Sequence, residues 1–308
     1  MTMRMHIALS LSLATLMLVA AGCGGGDSSS GVITADGSST VGPFTTKAAE
    51  DWKAAGGSDV TVGIPGTGGG FERFCAGETD ISNASRAIKD EEAALCAENG
   101  VGYVELQVAT DALTNVVNAE NDWVTCLTVD QLNAIWKPGS TMSNWNQIDP
   151  SYPDVPLKLY GAGTDSGTFD YFTDAINGEE GASRSDFSAT EDDNVTVQGV
   201  SGDKGALGYF GFSYFEQNQD TLKALEVDGG TGCVAPSVQT AQNGSYTPLA
   251  RPLFMYVKMS SLADAEGLAD FVRYTLENEQ TIAEQAQFVP LSQEQIDEQL
   301  QKLEAATA

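Results

Sequence analysis

Gly37-Ser38-Ser39-Thr40-Val41-Gly42-Pro43 is the stretch whose reading decides the fold. Before it, Val32 to Ala35 is a short β-like run. After it, Pro43 suits the first position of a helix that continues through Ala55 and stops at Gly56-Gly57. The unit is therefore a strand, a small polar turn and a helix, and the chain repeats that grammar. Val60 to Ile64 is a strand, Pro65-Gly66-Thr67-Gly68-Gly69-Gly70 a turn, and a helix is expected from near Phe71. Leu157 to Tyr160 leads into Gly161-Ala162-Gly163-Thr164-Asp165-Ser166-Gly167-Thr168 and an amphipathic helix with Phe169, Phe172 and Ile176. Short strands alternating with helical patterns predict an α/β fold.

Two apolar-rich extended runs, Leu106 to Asn118 and Pro252 to Lys258, flank a block with its own helix at Val129 to Trp136 and its own pair of cysteines. They read as crossings between two lobes: 32–114 plus 248–308, and 115–247. Two lobes joined in this way can close over a ligand by hinge motion. No internal repeat interrupts the pattern.

The 308 residues carry 15 Lys+Arg against 43 Asp+Glu, a net charge of −28, with 42% hydrophobic residues. That is enough apolar material for one or two folded domains. An excess of acid on this scale argues against a nucleic-acid surface, which needs clustered Lys/Arg to neutralise phosphates. It reads as a solvated acidic surface suited to a salty medium. The single histidine, His6, falls in a leader-like segment. A chain processed near position 23 has no imidazole, which removes Ser-His-Asp and Cys-His catalysis, the H-E-x-x-H zinc helix and His-ligated metals. No cofactor or metal site is expected.

Residues 1–22 have Arg4, an apolar stretch from Ile7 to Ala21 and a small-residue end, the layout of a secretory signal peptide. Leu18-Val19-Ala20-Ala21-Gly22-Cys23 resembles the bacterial lipobox, in which the cysteine, here Cys23, becomes the lipidated first residue. Residues 23–31 then form a Gly/Ser tether, about 15 Å in r.m.s. span for some eight residues. Nothing further along approaches the length of a transmembrane helix, so the lipid would be the only membrane contact. Cys75, Cys96, Cys126 and Cys233 are an even set in an exported chain and suggest two disulfides. Three pairings are possible. Proximity favours Cys75 with Cys96, worth about 3 kcal/mol by loop entropy, and leaves Cys126 with Cys233.

A helix start exposes unpaired N–H groups at the positive end of the dipole, so small polar turns entering helices are ready anion sites. Ser39, Thr40, Thr67, Ser166 and Thr168 add hydroxyl donors without adding charge. In any single turn such a residue usually just caps its helix. Three such turns in one exported two-lobed chain point to a tetrahedral oxyanion, which needs donors from several directions. No G-x-x-x-x-G-K-S/T or G-x-G-x-x-G pattern is present, so nucleotide chemistry has no support.

Taken together, Gly37 to Pro43, Gly66-Thr67-Gly68-Gly69-Gly70-Phe71, Asp80-Ile81-Ser82-Asn83-Ala84-Ser85-Arg86 and Gly163-Thr164-Asp165-Ser166-Gly167-Thr168-Phe169 closely resemble PstS-type phosphate-binding proteins in order and spacing. The resemblance extends through Leu127 to Leu132 and Gly205-Ala206-Leu207-Gly208-Tyr209, here read as a turn and helix. It implies a two-lobed periplasmic-binding-protein fold of type II, with two mixed sheets flanked by helices and a two-strand hinge. It also implies a monomeric extracytoplasmic receptor that binds inorganic phosphate and delivers it to the permease and ATPase of an ABC transporter. The family's contacts map to Ser39, Thr40 and Val41, to Thr67 with Gly68 beside it, and to Ser166, Gly167 and Thr168.

Two positions depart from the family pattern. An Arg four residues before the Ser of Ser-Gly-Thr is Ala162 here, and an Asp closing a first-lobe turn is Arg86. Arg86 is therefore the candidate for the displaced guanidinium, whose planar fork can chelate two oxygens. Its alternative is a surface ion pair with Glu78 or Asp80. Asp165 is a candidate acceptor for a protonated oxyanion, or else a dipole-favoured carboxylate at a helix start.

Rival readings are thinner. Ser201-Gly202-Asp203-Lys204 matches S-x-x-K, but neither K-T-G nor S-D-N occurs. Trp52, Trp123, Trp136, Trp145, Phe169, Tyr171 and Phe172 read as core and lobe-interface packing rather than a sugar platform. A receptor for sulfate or arsenate, a phosphate-sensing or storage protein, and an interaction protein using the acidic surface remain as alternatives to phosphate delivery.

Overall fold

The computed structural model describes residues 32–308 apart from Asp165 and Glu266. The expected leader 1–22, the tether 23–31 with Cys23, and Asp165 lie outside the described residues. In chain order, β1 (Ile33–Gly37) feeds α1 (Gly42–Ala54), β2 (Val60–Val62) feeds α2 (Thr67–Cys75), and β3 (Ile81–Ala84) precedes α3 (Asp90–Glu98). The 16-residue β4 (Tyr103–Asn118) then runs to β5 (Cys126–Thr128) and α4 (Val129–Trp136). Next come β6 (Lys158–Ala162), α5 (Gly167–Asn177), β7 (Ser188–Thr190), α6 (Asp193–Ser201) and β8 (Ala206–Gly211). After α7 (Phe212–Gln217), β9 (Leu222–Ala224), β10 (Glu226–Asp228), β11 (Cys233–Val234) and α8 (Val238–Gln242), the chain returns along β12 (Ala250–Lys258). It ends in α9 (Met259–Asp264), α10 (Leu268–Glu277), α11 (Glu279–Gln285) and α12 (Gln293–Thr307).

The ladder runs β2-β1-β3-β12-β4-β8-β6-β7, with β9 also on β4, and a separate three-stranded sheet runs β11-β10-β5. β1 is parallel to β2 and β3, whereas β12 is antiparallel to β3 and β4. β4 joins two regions. Tyr103 to Ala112 pair with β12, and Leu113 to Val117 pair with β8. The hydrophobic core changes at the same place. Leu106 and Ala109 pack with Phe44, Met255 and Phe271, while Leu113 and Val117 pack with Trp136, Trp145, Phe172 and Tyr209. β4 is buried without interruption from Val108 to Asn118, which explains its near-continuous apolar sequence. The result is a two-lobed α/β fold. The implied pair of separate mixed sheets is refined in one respect: they share β4, so their hydrogen bonding is continuous.

Two local expectations need correction. Gly205 to Tyr209 is not a turn and helix; the turn leads into β8, which is fully buried from Ala206 to Phe210 and sits between β4 and β6. Strand pairing and burial on both faces decide that segment over its small residues. The helix expected from Phe71 starts four residues earlier, at Thr67. Three successive glycines disfavour helix by about 1 kcal/mol each relative to Ala, but the first turn of α2 lies against the end of β1. A Cβ at Gly70 would stand 2.4 Å from the Gly37 Cα. The glycines permit that approach.

The disulfides are Cys75–Cys96, which ties α2 to the end of α3, and Cys126–Cys233, which joins β5 to β11 across β10. The aromatics are structural: Trp136 and Trp145 are fully buried, Phe172 stacks on Tyr209 at 3.8 Å, and Trp52 and Trp123 pack against the two cores. Among the described residues no helix is long and apolar enough to cross a membrane.

Candidate functional site

The turns entering α1 and α2 open onto one cleft of about 860 Å³. Ser38, Ser39 and Thr40 come from the first, and Gly66, Thr67 and Gly68 from the second. The N-cap positions are Val41 and Gly66, and neither makes a side-chain cap hydrogen bond of its own. The start of α2 thus keeps N–H donors that a capping oxygen would otherwise occupy, whereas at α1 the Gly42 N–H is bonded to the Ser38 carbonyl and Pro43 has none. Val41 is fully buried in the core, and its backbone N–H donates to Ser38 Oγ at 3.4 Å. Thr67 is tied to the loop after β3: its Oγ1 lies 3.1 Å from Ser85 Oγ and accepts from the Ser85 N–H.

The third turn behaves differently. Ser166 is the N-cap of α5, and its hydroxyl oxygen accepts from the Thr168 N–H at 3.1 Å. The capping role open to any such residue is the one Ser166 adopts. Ser166, Gly167 and Thr168 line a smaller cavity of about 180 Å³ together with Ser39, Thr40 and Asp111. Gly167 faces Thr40 so closely that a Cβ on it would meet Thr40 Oγ1 at 2.6 Å. The first turn therefore stands between the other two, with Thr67, Gly68 and Arg86 on one cavity and Ser166, Gly167 and Thr168 on the other.

Arg86 lines the larger cleft, but its fork is engaged. Nη1 and Nη2 donate to the two carboxylate oxygens of Glu92 at 2.8 and 2.7 Å, and Nη1 also donates to the Ala87 carbonyl. Burial works against the Glu92 carboxylate, yet Arg86 and the Lys89 N–H hold it below its ordinary range. Neither Glu78 nor Asp80 is the partner: Glu78 pairs with Arg73, and Asp80 accepts from Ser261 and Thr34.

Sequence reasoning missed Arg251 and Asp111. They face each other across β12 and β4, the two central strands. Arg251 Nη2 lies 3.2 Å from Asp111 Oδ2 and donates to Thr40 Oγ1 at 3.2 Å, while the guanidinium carbon sits 3.8 Å above the centre of the Tyr171 ring. Burial pushes the Asp111 carboxyl up, and Arg251 opposes that shift. A signal was present: Asp111 is a charge inside the run Leu106 to Asn118, where an apolar residue would suffice, and Arg251 immediately precedes the second run, which starts at Pro252.

The α5 side of the cleft is acidic. Asp170, Asp174 and Glu180 line it opposite Arg86 and Lys89. Burial and then the neighbouring Glu180 raise the Asp170 carboxyl. Asp193 lines the smaller cavity, where burial, reinforced by Asp192 and Glu191, pushes its carboxyl up to about 6. The Ser201 to Lys204 motif forms no catalytic pair, since Ser201 donates to the Gln198 carbonyl and Lys204 pairs with Asp122.

Small donors around a cleft at a two-strand crossing match the sequence-level resemblance, and comparison with known proteins decides the family. Residues 25–279 match the PBP superfamily domain. SphX of Synechocystis sp. is 48% identical over 265 residues, covering 85% of this chain and 79% of SphX. The phosphate-binding protein PstS of Staphylococcus saprophyticus is 41% identical over 298 residues, covering 94% of this chain and 91% of that protein. The chain belongs to the PstS family. In three dimensions it is similar to a possible phosphate-binding protein from Planctomyces limnophilus, with a TM-score of 0.85 at 43% identity, covering 91% of this chain and 99% of that one. In this PstS-family chain the Arg251–Asp111 pair lies outside the motifs that carried the resemblance.

Proposed function

We propose that this chain captures inorganic phosphate outside the cytoplasmic membrane and hands it to the permease and ATPase of an ABC transporter. The observation that carries the reading is the pair of helix starts, α1 and α2, whose entry turns open onto one cleft with the Thr40 and Thr67 hydroxyls. Backbone N–H groups and hydroxyls bind an oxyanion by donation alone, and a dry cleft strengthens each bond. No bond is made or broken; the activity is capture and release.

The lobes are 32–114 plus 248–308 and 115–247, hinged where β4 and β12 cross. Ser39, Thr40, Val41, Thr67, Gly68 and Arg86 supply one wall. Ser166, Gly167 and Thr168 supply the other, and Asp165 stays the candidate acceptor for a protonated oxyanion. Cys23 carries a lipid, and the domain works as a monomer tethered to the membrane. The −28 charge repels phosphate at long range, so short-range donors must provide the affinity. Calorimetric titration of ligand-stripped protein with phosphate and then sulfate tests this. One-to-one phosphate binding with weaker sulfate binding is expected, and equal or stronger sulfate binding refutes the assignment.

A further inference from the structure

We infer that Arg251 is a positioning residue of the anion site, acting through the Thr40 hydroxyl. The inference rests on the phosphate-receptor reading and deepens it. A guanidinium can only donate hydrogen bonds, whereas a threonine hydroxyl has one hydrogen to give and two lone pairs to accept with. The 3.2 Å bond from Arg251 Nη2 to Thr40 Oγ1 therefore takes up one lone pair and turns the hydroxyl hydrogen away from Arg251. The open directions are the two cavities that Thr40 lines. Thr40 is thus held as a donor, the polarity an oxyanion needs.

Two contacts fix the guanidinium while it does this. Asp111 holds it from the opposite strand, and its central carbon lies over the Tyr171 ring. Tyr171 is itself anchored, since its hydroxyl donates to the Pro248 carbonyl at 2.7 Å. The contacts of Arg251 therefore tie the two crossing strands to the α1 turn on one side and to α5 on the other. Arg86, by contrast, spends its fork on Glu92 within the first region. Lysine at 251 would keep the charge beside Asp111 but would lose the planar fork and the ring contact.

A double-mutant cycle tests the inference, using phosphate titrations of wild type, Arg251→Gln, Thr40→Val and the double variant, with a melting curve for each. Arg251→Gln is expected to weaken phosphate binding about 10- to 100-fold in the wild-type background and less than about 3-fold when Thr40 is already valine. Arg251→Lys carries the same cycle if the glutamine variant does not fold. Equal factors in both backgrounds, or binding of wild-type strength in Arg251→Gln, would overturn the positioning role while leaving the receptor reading intact. Failure of the wild type itself to bind phosphate would overturn both.

Discussion

The two walls of the cleft are built on opposite principles. On the α1–α2 wall two helices begin at N-cap residues, Val41 and Gly66, that make no side-chain cap of their own, and Arg86 and Lys89 stand nearby. On the α5 wall the helix is capped by its own Ser166, and the side chains facing the cleft include Asp170, Asp174 and Glu180. An anion is drawn to the first wall and repelled by the rim of the second. The contrast assigns most of the binding energy to α1 and α2 and leaves α5 to shape and close the site. Gly167 fits that division, because its contribution is room for the Thr40 hydroxyl.

The largest effect should come from the donor at the centre. Thr40→Val is expected to weaken phosphate binding about 10- to 100-fold by calorimetry, and Gly167→Ala to follow at about 10-fold, because the added methyl displaces that hydroxyl. A large loss on Ser166→Ala with little loss on Thr40→Val would invert the comparison. Removing charge from the other wall probes the opposite sign. The triple variant Asp170→Asn, Asp174→Asn, Glu180→Gln is expected to bind phosphate about 3- to 10-fold more tightly at low salt, and the gain should vanish near 1 M salt, where the Debye length is about 3 Å.

Smaller effects concern stability. The Asp193 carboxyl titrates near 6 in the folded protein and about 3.9 in an unfolded chain. Between those values the folded state binds more protons, so wild type loses stability as pH rises from 4 to 6. Asp193→Asn lacks that loss. Denaturant unfolding should show the variant more stable at pH 7 by about 1 kcal/mol, discounted for partial exposure, with no advantage at pH 4. Ser166→Ala removes a helix cap worth about 1 kcal/mol and should lower Tm by about 2 °C for a chain of this size, with phosphate affinity changed no more than a few-fold.

Much of this molecule was legible in the sequence. Small polar turns between periodic segments located β1, α1, β2, β6, α4 and α5 within a few residues, because turn chemistry and apolar spacing act locally. The start of α2 was misplaced because helix propensity counts glycines against a helix and cannot see that Gly70 packs on Gly37. β8 was misread because Gly205 to Tyr209 gains its strand character from β4 and β6, far away in sequence. The site divides in the same way. Thr40 and Thr67 sit in turns whose meaning is local. The contact of Arg251 with Thr40 spans 211 positions, and the bidentate hold of Glu92 on Arg86 depends on how α3 returns to β3. Pairing across strands fixes such contacts, and motif spacing does not carry them.

The measurement that bears most directly on the contrast between the walls is a crystal structure with arsenate, whose anomalous scattering marks the position of a tetrahedral oxyanion. The account predicts one strong peak within hydrogen-bonding reach of the Thr40 and Thr67 hydroxyls at the starts of α1 and α2. A peak instead in the cavity beside Lys158 and Arg184, or against α5 alone, would contradict it.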